Sequence, residues 1–181
     1  MFNTQTGLFL LTNPFFYAKF NTMGEKSKVF LYTDGACSGN PGKGGYGAIL
    51  VFFDSNGQKH EKEFSEGFAH TTNNQMELLA VIIGLEALKR PCEVKITSDS
   101  KYVVDSINKG WLENWQAKNW RKAGNKPVPN VELWKRLVNA MKMHSIEFVW
   151  IKGHAGHEFN ERCDRLAVEA YKKDTLKTEI F

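Results

Sequence analysis

Three strand-like segments in succession, followed by helical segments that alternate with further strands, constrain the fold of this chain most strongly. The strand-like segments are residues 29–32, 46–53, 59–68, 94–97 and 146–151. Helical periodicity covers residues 73–90, 101–108, 130–141 and 157–171. Turn residues occupy positions 39–45 and 54–57, the second of which predicts a hairpin. This order predicts an α/β domain whose mixed sheet is covered by helices.

The length of 181 residues suits one domain with a substantial core, which we place at residues 27–171. Residues 172–181 are predicted to be a solvated C-terminal tail. Residues 1–26 are predicted to be a disordered or loosely docked extension. Organelle targeting is the alternative for that extension, because its first 23 residues carry no acidic side chain. Its apolar run at residues 7–11 is too short to span a membrane, which takes about 20 residues.

Charge and cysteine content narrow the functional classes. The net charge of +4 is compatible with a nucleic-acid partner but does not by itself indicate one. Cys37, Cys92 and Cys163 have neither CxxC spacing nor clustered histidine partners, so neither a disulfide framework nor a zinc site is indicated. This cysteine usage fits a reducing cytoplasm, and Cys163 is expected to be a small buried residue.

Four carboxylates in four separate parts of the chain are candidate metal ligands: Asp34, Glu77, Asp99 and Asp164. Asp34 and Asp99 each follow an apolar strand, whereas Glu77, in the predicted first turn of a helix capped by Asn73 or Asn74, and Asp164 project from helices that could cover the sheet. Like charges brought together require protons or cations, and Mg²⁺ prefers oxygen ligands. The pattern predicts a metal site suited to phosphodiester hydrolysis, with ordinary surface acids as the alternative.

The segment from about residue 29 to residue 171 resembles type 1 ribonuclease H. The resemblance lies in the strings YTDGACSGNPGKGGYGAI, TTNNQMELLA, TSDSKYV and VWIKGHAGHEFNERCDRLA. It implies the ribonuclease H fold, a five-stranded mixed sheet flanked by helices. It also implies endonucleolytic cleavage of the RNA strand of RNA–DNA hybrids, which leaves 5′-phosphate and 3′-hydroxyl ends.

By position, the four carboxylates match the metal-binding acids of that family. The resemblance implies two Mg²⁺ ions per site, with Mn²⁺ as an alternative, that activate water and stabilise the leaving oxygen. Asp34 would bridge the two ions, Asp164 would join it on the ion beside the nucleophile, and Glu77 and Asp99 would hold the other.

Two further residues match accessory positions of the family. His154 lies in a loop between glycines, where a neutral imidazole could accept a proton from water or assist product release; a structural loop histidine is the alternative. Glu161 matches an acid that assists product release, although a glutamate in the first turn of a helix could also complement the helix dipole. His157, at the predicted start of the helix, is expected to be structural.

The resemblance also indicates contacts to an RNA–DNA hybrid. Cys37, Asn40, Asn73 and Asn74 match positions that touch the hybrid, where short polar groups can reach 2′-hydroxyls; turn and capping roles are the alternative. Thr72 and Asn130 resemble the family's pocket for a phosphate of the DNA strand. Near them, His70 stands where some members have arginine.

Residues 109–126, which we call the basic protrusion, interleave aromatic and basic side chains. The aromatic members are Trp111, Trp115 and Trp120, and the basic members include Lys118, Arg121 and Lys122. Such a segment suits a groove that follows a phosphate backbone, and it resembles the protrusion of many bacterial family members. The alternative is that the tryptophans pack a helical pair and the lysines are only solvated.

Two other functions compete with a hybrid nuclease. A junction resolvase or integrase core would share the fold but not the substrate, and a catalytically silent nucleic-acid-binding domain would keep only the shape. We expect a monomeric, cytoplasmic enzyme of DNA replication and repair that does not associate with membranes.

Overall fold

The computed structural model describes residues 27–180, in which five long strands form one mixed sheet. The elements in chain order are β1 (Ser27–Cys37), β2 (Gly42–Phe53), β3 (Lys59–Thr71), α1 (Asn73–Glu86), β4 (Cys92–Ser98), α2 (Lys101–Asn108), α3 (Trp111–Ala117), β5 (Arg121–Lys122), β6 (Lys126–Pro127), α4 (Val131–Met141), β7 (Ser145–Trp150) and α5 (Glu158–Tyr171). The sheet order is β3-β2-β1-β4-β7, with β1–β2 and β2–β3 antiparallel and β4 parallel to both β1 and β7. The expected five-stranded mixed sheet with flanking helices is confirmed, whereas the predicted extension at residues 1–26 lies outside the described residues.

Helices cover both faces of the sheet. On one face α1 packs against β1, β2 and α4, and the core there includes the fully buried Leu31, Ile96 and Trp134. On the other face α5 packs across β1, β2 and β3 over a smaller apolar cluster that contains Ile49, Val51 and Cys163. The prediction that Cys163 is a small buried residue is therefore confirmed. No helix within residues 27–180 is both long enough and apolar enough to cross a membrane.

The start of α1 differs from the prediction. Thr72 is the N-cap: its hydroxyl accepts the Gln75 backbone N–H at 3.4 Å, and the Gln75 side-chain oxygen accepts the Thr72 N–H at 2.9 Å. This reciprocal capping box outcompetes a cap at Asn73 or Asn74, so both of those predicted caps are wrong. As the fifth helical residue, Glu77 lies in the second turn of α1 rather than the first.

Of the two predicted turns, one is confirmed and the other covers fewer residues than predicted. At residues 54–57 the hairpin is confirmed: the Asp54 carboxylate accepts the N–H groups of Asn56 and Gln58, each at 2.9 Å, and Gly57 has a φ of +77°. In the glycine-rich stretch, only residues 38–41 form the turn, whereas Gly42 begins β2. Pairing with β1 and β3 overrides the turn preference of the following glycines.

The prediction that residues 172–181 form a solvated tail is wrong for their middle part. The Ala69 N–H donates to the Lys177 carbonyl at 2.8 Å, and the Lys177 N–H donates to the Gly67 carbonyl at 2.9 Å, so the tail adds a short parallel bridge to β3. The Lys177 ammonium pairs with Glu66 at 3.0 Å, and Ile180 packs against the main core. The tail therefore belongs to the folded domain.

Candidate active site

Asp34 and Asp99 occupy neighbouring positions at one edge of the sheet. The parallel register of β1 with β4 ends at the pair Thr33 and Ser98; Asp34 follows Thr33 within β1, and Asp99 is the first residue after β4. Because the carboxyl ends of parallel strands meet at the same edge, the two side chains leave the sheet side by side.

A glycine brings Glu77 to the same place. A β-carbon on Gly35 would lie 2.6 Å from the Met76 carbonyl carbon and would also meet the Glu77 nitrogen, so only glycine lets α1 approach β1 this closely. Glu77 accepts hydrogen bonds from the Ser100 hydroxyl at 2.5 Å and from the Asn73 side-chain amide at 2.9 Å. These donors orient the Glu77 carboxylate beside Asp34.

Asp164 arrives from the opposite face of the sheet. Gly47 pairs with Asp34 across β1 and β2, and a β-carbon on Gly47 would meet the Cys163 carbonyl of α5. The first turn of α5 is fixed over β1 by Phe159, whose ring stacks on Tyr32 with centroids 4.5 Å apart. Asp164, next to Cys163, is thereby held close to Asp34.

The electrostatics of Asp34 reflect the convergence of all four carboxylates. The pKa of Asp34 is raised to about 8, chiefly by burial and also by repulsion from Asp99, Asp164 and Glu77, against one 2.7 Å hydrogen bond from the Gly35 N–H. The pKa of Glu77 is raised to about 7, chiefly by burial and also by repulsion from Asp99, although the Ser100 and Asn73 donors oppose the rise. Such a cluster takes up protons or cations at neutral pH.

The donor set suits a hard divalent cation. Within residues 27–180, no group of three or more His, Cys, Asp or Glu side chains is arranged to hold a metal ion as it stands. This agrees with the coupling between the carboxylates, because repulsion acts over several ångströms whereas Mg²⁺ ligation needs oxygens within about 2.1 Å of one ion. A divalent cation bound by this all-oxygen set would favour the ionised forms of Asp34 and Glu77, whose pKa values are raised, so these residues fit Mg²⁺.

The two accessory candidates lie close to this cluster in different ways. His154 is exposed, with a φ of +53°, in the loop between β7 and α5. That loop lies against the site, because a β-carbon on Gly153 would meet the Asp99 carboxylate. Glu161 lies in the first turn of α5, three residues before Asp164, and is half-buried. His157 is the N-cap residue of α5 and makes no side-chain capping bond.

One group of the predicted hybrid contacts lies near the start of α1. The Asn40 side-chain oxygen accepts the Asn73 N–H at 3.2 Å, which joins the β1–β2 turn to α1. Cys37 is half-buried at the end of β1, and Asn74 is exposed. Asn130 is the N-cap residue of α4 and donates to the Tyr102 hydroxyl at 3.3 Å. Thr72 also caps α1, and Asn73 also donates to Glu77, so both residues have structural roles in addition to the predicted contacts.

The tryptophans of the basic protrusion divide into two kinds. Trp115 packs edge-to-face on Trp134 with centroids 5.4 Å apart, and Trp120 is half-buried against the main core. The packing interpretation therefore accounts for these two. Trp111 is 43% exposed, with the Lys109 ammonium 5.4 Å from its ring centroid. Lys118, Arg121 and Lys122 are all exposed, as a contact with phosphates requires.

Sequence reasoning missed the residues that support the acids. Ser100 donates to Glu77, and its hydroxyl also accepts the Val103 N–H at 3.2 Å as the N-cap of α2. A serine directly after Asp99 and before a helical pattern is a recognisable N-cap signal. Nothing in the sequence signals that its hydroxyl also reaches Glu77, 23 residues away.

Comparison with known proteins places this geometry in a family. The family model for RNase H matches residues 26–172. The chain belongs to the ribonuclease H family. It is 54% identical over 153 residues to the ribonuclease H of Photorhabdus laumondii, covering 84% of this chain and 93% of that protein. It is 56% identical over 144 residues to that of Lachnoclostridium phytofermentans, covering 79% and 91%.

Solved structures agree with this assignment. LC9-RNase H1, a type 1 RNase H with the type 2 active-site motif, superposes with a TM-score of 0.76 at 32% identity, covering 85% of this chain and 76% of that one. LC11-RNase H1 in complex with an RNA/DNA hybrid superposes with a TM-score of 0.57 at 26% identity, covering 80% and 96%. The family and the fold expected from the sequence are confirmed.

Proposed function

We propose that this protein is an endonuclease that hydrolyses the RNA strand of RNA–DNA hybrids and leaves 5′-phosphate and 3′-hydroxyl ends. The observation that carries the proposal is the convergence of Asp34, Glu77, Asp99 and Asp164: burial of Asp34, together with repulsion from the other three, raises its pKa to about 8. Relatives named ribonuclease H at 54% and 56% identity, and a fold neighbour solved with an RNA/DNA hybrid, support the same substrate.

The four acids would hold two Mg²⁺ ions, with Mn²⁺ as a substitute. Bound there, the ions would supply water activation and stabilisation of the leaving 3′ oxygen. Asp34 is central because the other three carboxylates all act on it. Asp164 would join Asp34 as a ligand of the ion beside the nucleophile, and Glu77 and Asp99 would hold the other ion. Ser100 and Asn73 keep the Glu77 oxygens pointed at the site through their hydrogen bonds.

His154 and Glu161 would serve proton transfer and product release. The exposed His154 ring stands on a loop that touches Asp99, so a neutral ring nitrogen can accept a proton from water near the scissile linkage. Glu161 lies one helical turn from Asp164, where a second acid can attract a departing cation or repel a charged product.

Substrate recognition would combine minor-groove contacts with phosphate contacts. Asn40 and Asn73, which are hydrogen-bonded to each other beside Glu77, would contact 2′-hydroxyls of the RNA strand together with Cys37 and Asn74. Thr72 and Asn130 would contact a phosphate of the DNA strand. Lys118, Arg121 and Lys122, with the exposed ring of Trp111, would bind the backbone beyond the active site.

The test is cleavage of a hybrid labelled on the RNA strand, with and without EDTA, followed by identification of the product ends. We expect cleavage with Mg²⁺, none with EDTA, and 5′-phosphate and 3′-hydroxyl products. The Asp34→Asn variant should bind the hybrid but not cut it. Equal cutting of duplex DNA and hybrid would favour a resolvase-like or integrase-like nuclease, and turnover by Asp34→Asn would overturn the assignment of the acids.

We also propose the cellular setting and the domain limits. Residues 27–171 would form the body of the catalytic domain, which the family match at residues 26–172 supports, and the tail that pairs with β3 would belong to it as well. The three cysteines are free thiols, which suits a reducing cytoplasm. The enzyme would act as a monomer on hybrids that arise during DNA replication and repair; light scattering of the purified protein tests the monomer.

A further inference from the structure

The peptide bond between Asp99 and Ser100 connects two parts of the proposed metal site. Asp99 is one of the four acids, and the Ser100 hydroxyl donates to another, Glu77, at 2.5 Å. Movement of the backbone at this peptide would therefore shift the Asp99 carboxylate and the donor that orients Glu77 at the same time. The placement of this peptide thus affects two of the four carboxylates.

Side chains fix this peptide on both sides. The Trp150 indole N–H donates to the Asp99 carbonyl at 3.0 Å, and the Ser100 N–H donates to the Ser98 hydroxyl at 3.2 Å. The pairing of β4 with β7 ends at Ser98 and Trp150, so the peptide lies just beyond the sheet and has no ladder hydrogen bonds in that pairing. Trp150 and Ser98 supply the two bonds that the sheet does not.

The position of Trp150 is itself well defined. Trp150 pairs with Ser98 in the β4–β7 register, and the next residue, Ile151, donates its N–H to the Ser98 carbonyl at 3.0 Å. The Lys101 ammonium lies 4.9 Å from the indole centroid. The side chain is nevertheless 42% exposed, so core packing does not require an indole at this position.

We infer that Trp150 is a positioning residue for the metal site, which holds Asp99, and through Ser100 also Glu77, in the geometry that binds the cation. This inference rests on the proposed function only in one respect: it takes the four carboxylates to be the metal site. Groups that orient metal ligands from behind commonly change metal affinity by about 10- to 100-fold when removed. Trp150 acts on Asp99 through the main chain, because its indole N–H donates to the Asp99 backbone carbonyl.

The experiment compares Trp150→Phe with the wild-type protein. Phenylalanine keeps an aromatic ring beneath Lys101 and removes the N–H donor. Calorimetric titration with Mg²⁺ in the absence of nucleic acid should show binding weaker by about tenfold. Hybrid cleavage should fall at low Mg²⁺ and recover at high Mg²⁺, with the KM for hybrid unchanged. The Tm should fall by no more than about 4 °C, as for one lost hydrogen bond.

Asn108→Ala is the matched control, because the Asn108 side chain also donates to a backbone carbonyl at 3.0 Å, that of Phe148, on the same strand β7. It should lower the Tm similarly and leave Mg²⁺ affinity unchanged. Ser98→Ala removes the bond on the other side of the peptide and should weaken Mg²⁺ binding in the same direction, which keeps the test open if Trp150→Phe folds poorly.

Three outcomes would overturn the inference. Wild-type Mg²⁺ affinity in both Trp150→Phe and Ser98→Ala would make Trp150 merely structural. A rise in the KM for hybrid with unchanged Mg²⁺ affinity would make it a substrate contact. Equal loss of affinity in Asn108→Ala would point to a general effect of stability. A wild-type protein that binds Mg²⁺ but fails to cut hybrids would refute the proposed function while leaving this comparison valid.

Discussion

The buried Asp34 carboxyl makes the metal-free protein less stable as the pH rises. Its pKa is about 8 in the folded protein and 3.8 without the fold, so between these values the folded state holds a proton that the unfolded state releases. Stability is therefore highest below pH 3.8 as far as this group is concerned, and it falls until about pH 8. Asn cannot ionise. Asp34→Asn should then raise the Tm in EDTA, by a margin that grows from pH 5 to pH 9.

The size of this effect separates it from ordinary charge removal. At pH 9 the gain should be on the order of a few kcal/mol, because each unit of pKa corresponds to about 1.4 kcal/mol. Saturating Mg²⁺ should reduce the difference, since a bound cation stabilises the ionised cluster of the wild type. Glu113→Gln removes an exposed carboxylate and should change the Tm little at either pH. Parallel pH profiles for Asp34→Asn and the wild type would contradict the burial of Asp34.

At the scale of single residues, the sequence indicated the candidate acids but not the residues that support them. Asp34 and Asp99 were recognisable because each follows an apolar strand, and the register places them side by side. The hydrogen bond of Ser100 to Glu77 and that of Trp150 to Asp99 join positions 23 and 51 residues apart. No local pattern specifies such pairs, because they depend on how α1, β4 and β7 are arranged.

Among the elements, α5 depends on glycines of the sheet to reach Asp34. A β-carbon on Gly47 would meet the Cys163 carbonyl, and one on Gly67 would meet the Ala170 carbonyl at the other end of the helix. Gly47→Ala should therefore push α5 away from the sheet at the position next to Asp164. We expect a loss of about 2 kcal/mol in the free energy of unfolding, and a fall in kcat of roughly tenfold to a hundredfold because a ligand is displaced.

Gly67→Ala is the control for the same contact far from the acids. It should destabilise the protein to a similar extent, yet leave kcat much closer to the wild-type value at a temperature where both variants are folded. Thermal denaturation and single-turnover cleavage measure the two effects separately. If both variants lost activity equally, general loosening of α5 rather than the placement of Asp164 would be responsible.

The basic protrusion should act through charge. Replacing Lys118, Arg121 and Lys122 by Ala should weaken hybrid binding. It should also reduce the slope of log K against log salt by about 1 to 3, because a protein that makes fewer phosphate contacts releases fewer counterions on binding. A matched triple variant at Lys89, Lys142 and Lys172 removes the same charge from exposed positions after the carboxyl ends of α1, α4 and α5. Binding titrations over a salt series would contradict the proposal if both triples gave the same slope.

Element boundaries followed from sequence wherever local signals agreed with the tertiary structure. Residues 101–108 form α2 as predicted, since Ser100 caps an amphipathic segment. The stretch 42–45 was assigned to a turn because glycine favours turns, but its glycines serve close packing: a β-carbon on Gly45 would meet the Ala167 carbonyl of α5. Glycines required by a helix on the far side of a sheet cannot be told from turn glycines by composition.

At the scale of the whole molecule, the chain end closes the sheet edge at β3. Residue 177 exchanges two main-chain hydrogen bonds with this edge strand, and Ile180 reaches the main core. Sequence composition favours a solvated tail because five of its first six residues are charged or small and polar: Lys172, Lys173, Asp174, Thr175 and Lys177. Backbone pairing does not depend on such side chains, so their composition could not predict it.

Ending the chain at Lys173 should therefore destabilise the protein. Two main-chain hydrogen bonds at about 1 kcal/mol each, with the burial of Ile180, predict a loss of about 2–3 kcal/mol and a fall in Tm of roughly 4–10 °C. Lys177→Ala removes only the exposed ion pair with Glu66 and should cost less than about 1 kcal/mol. Calorimetry distinguishes the two: an unchanged Tm in the truncated protein would mean that the tail is solvated after all, and an equal fall in both would assign its stability to the ion pair.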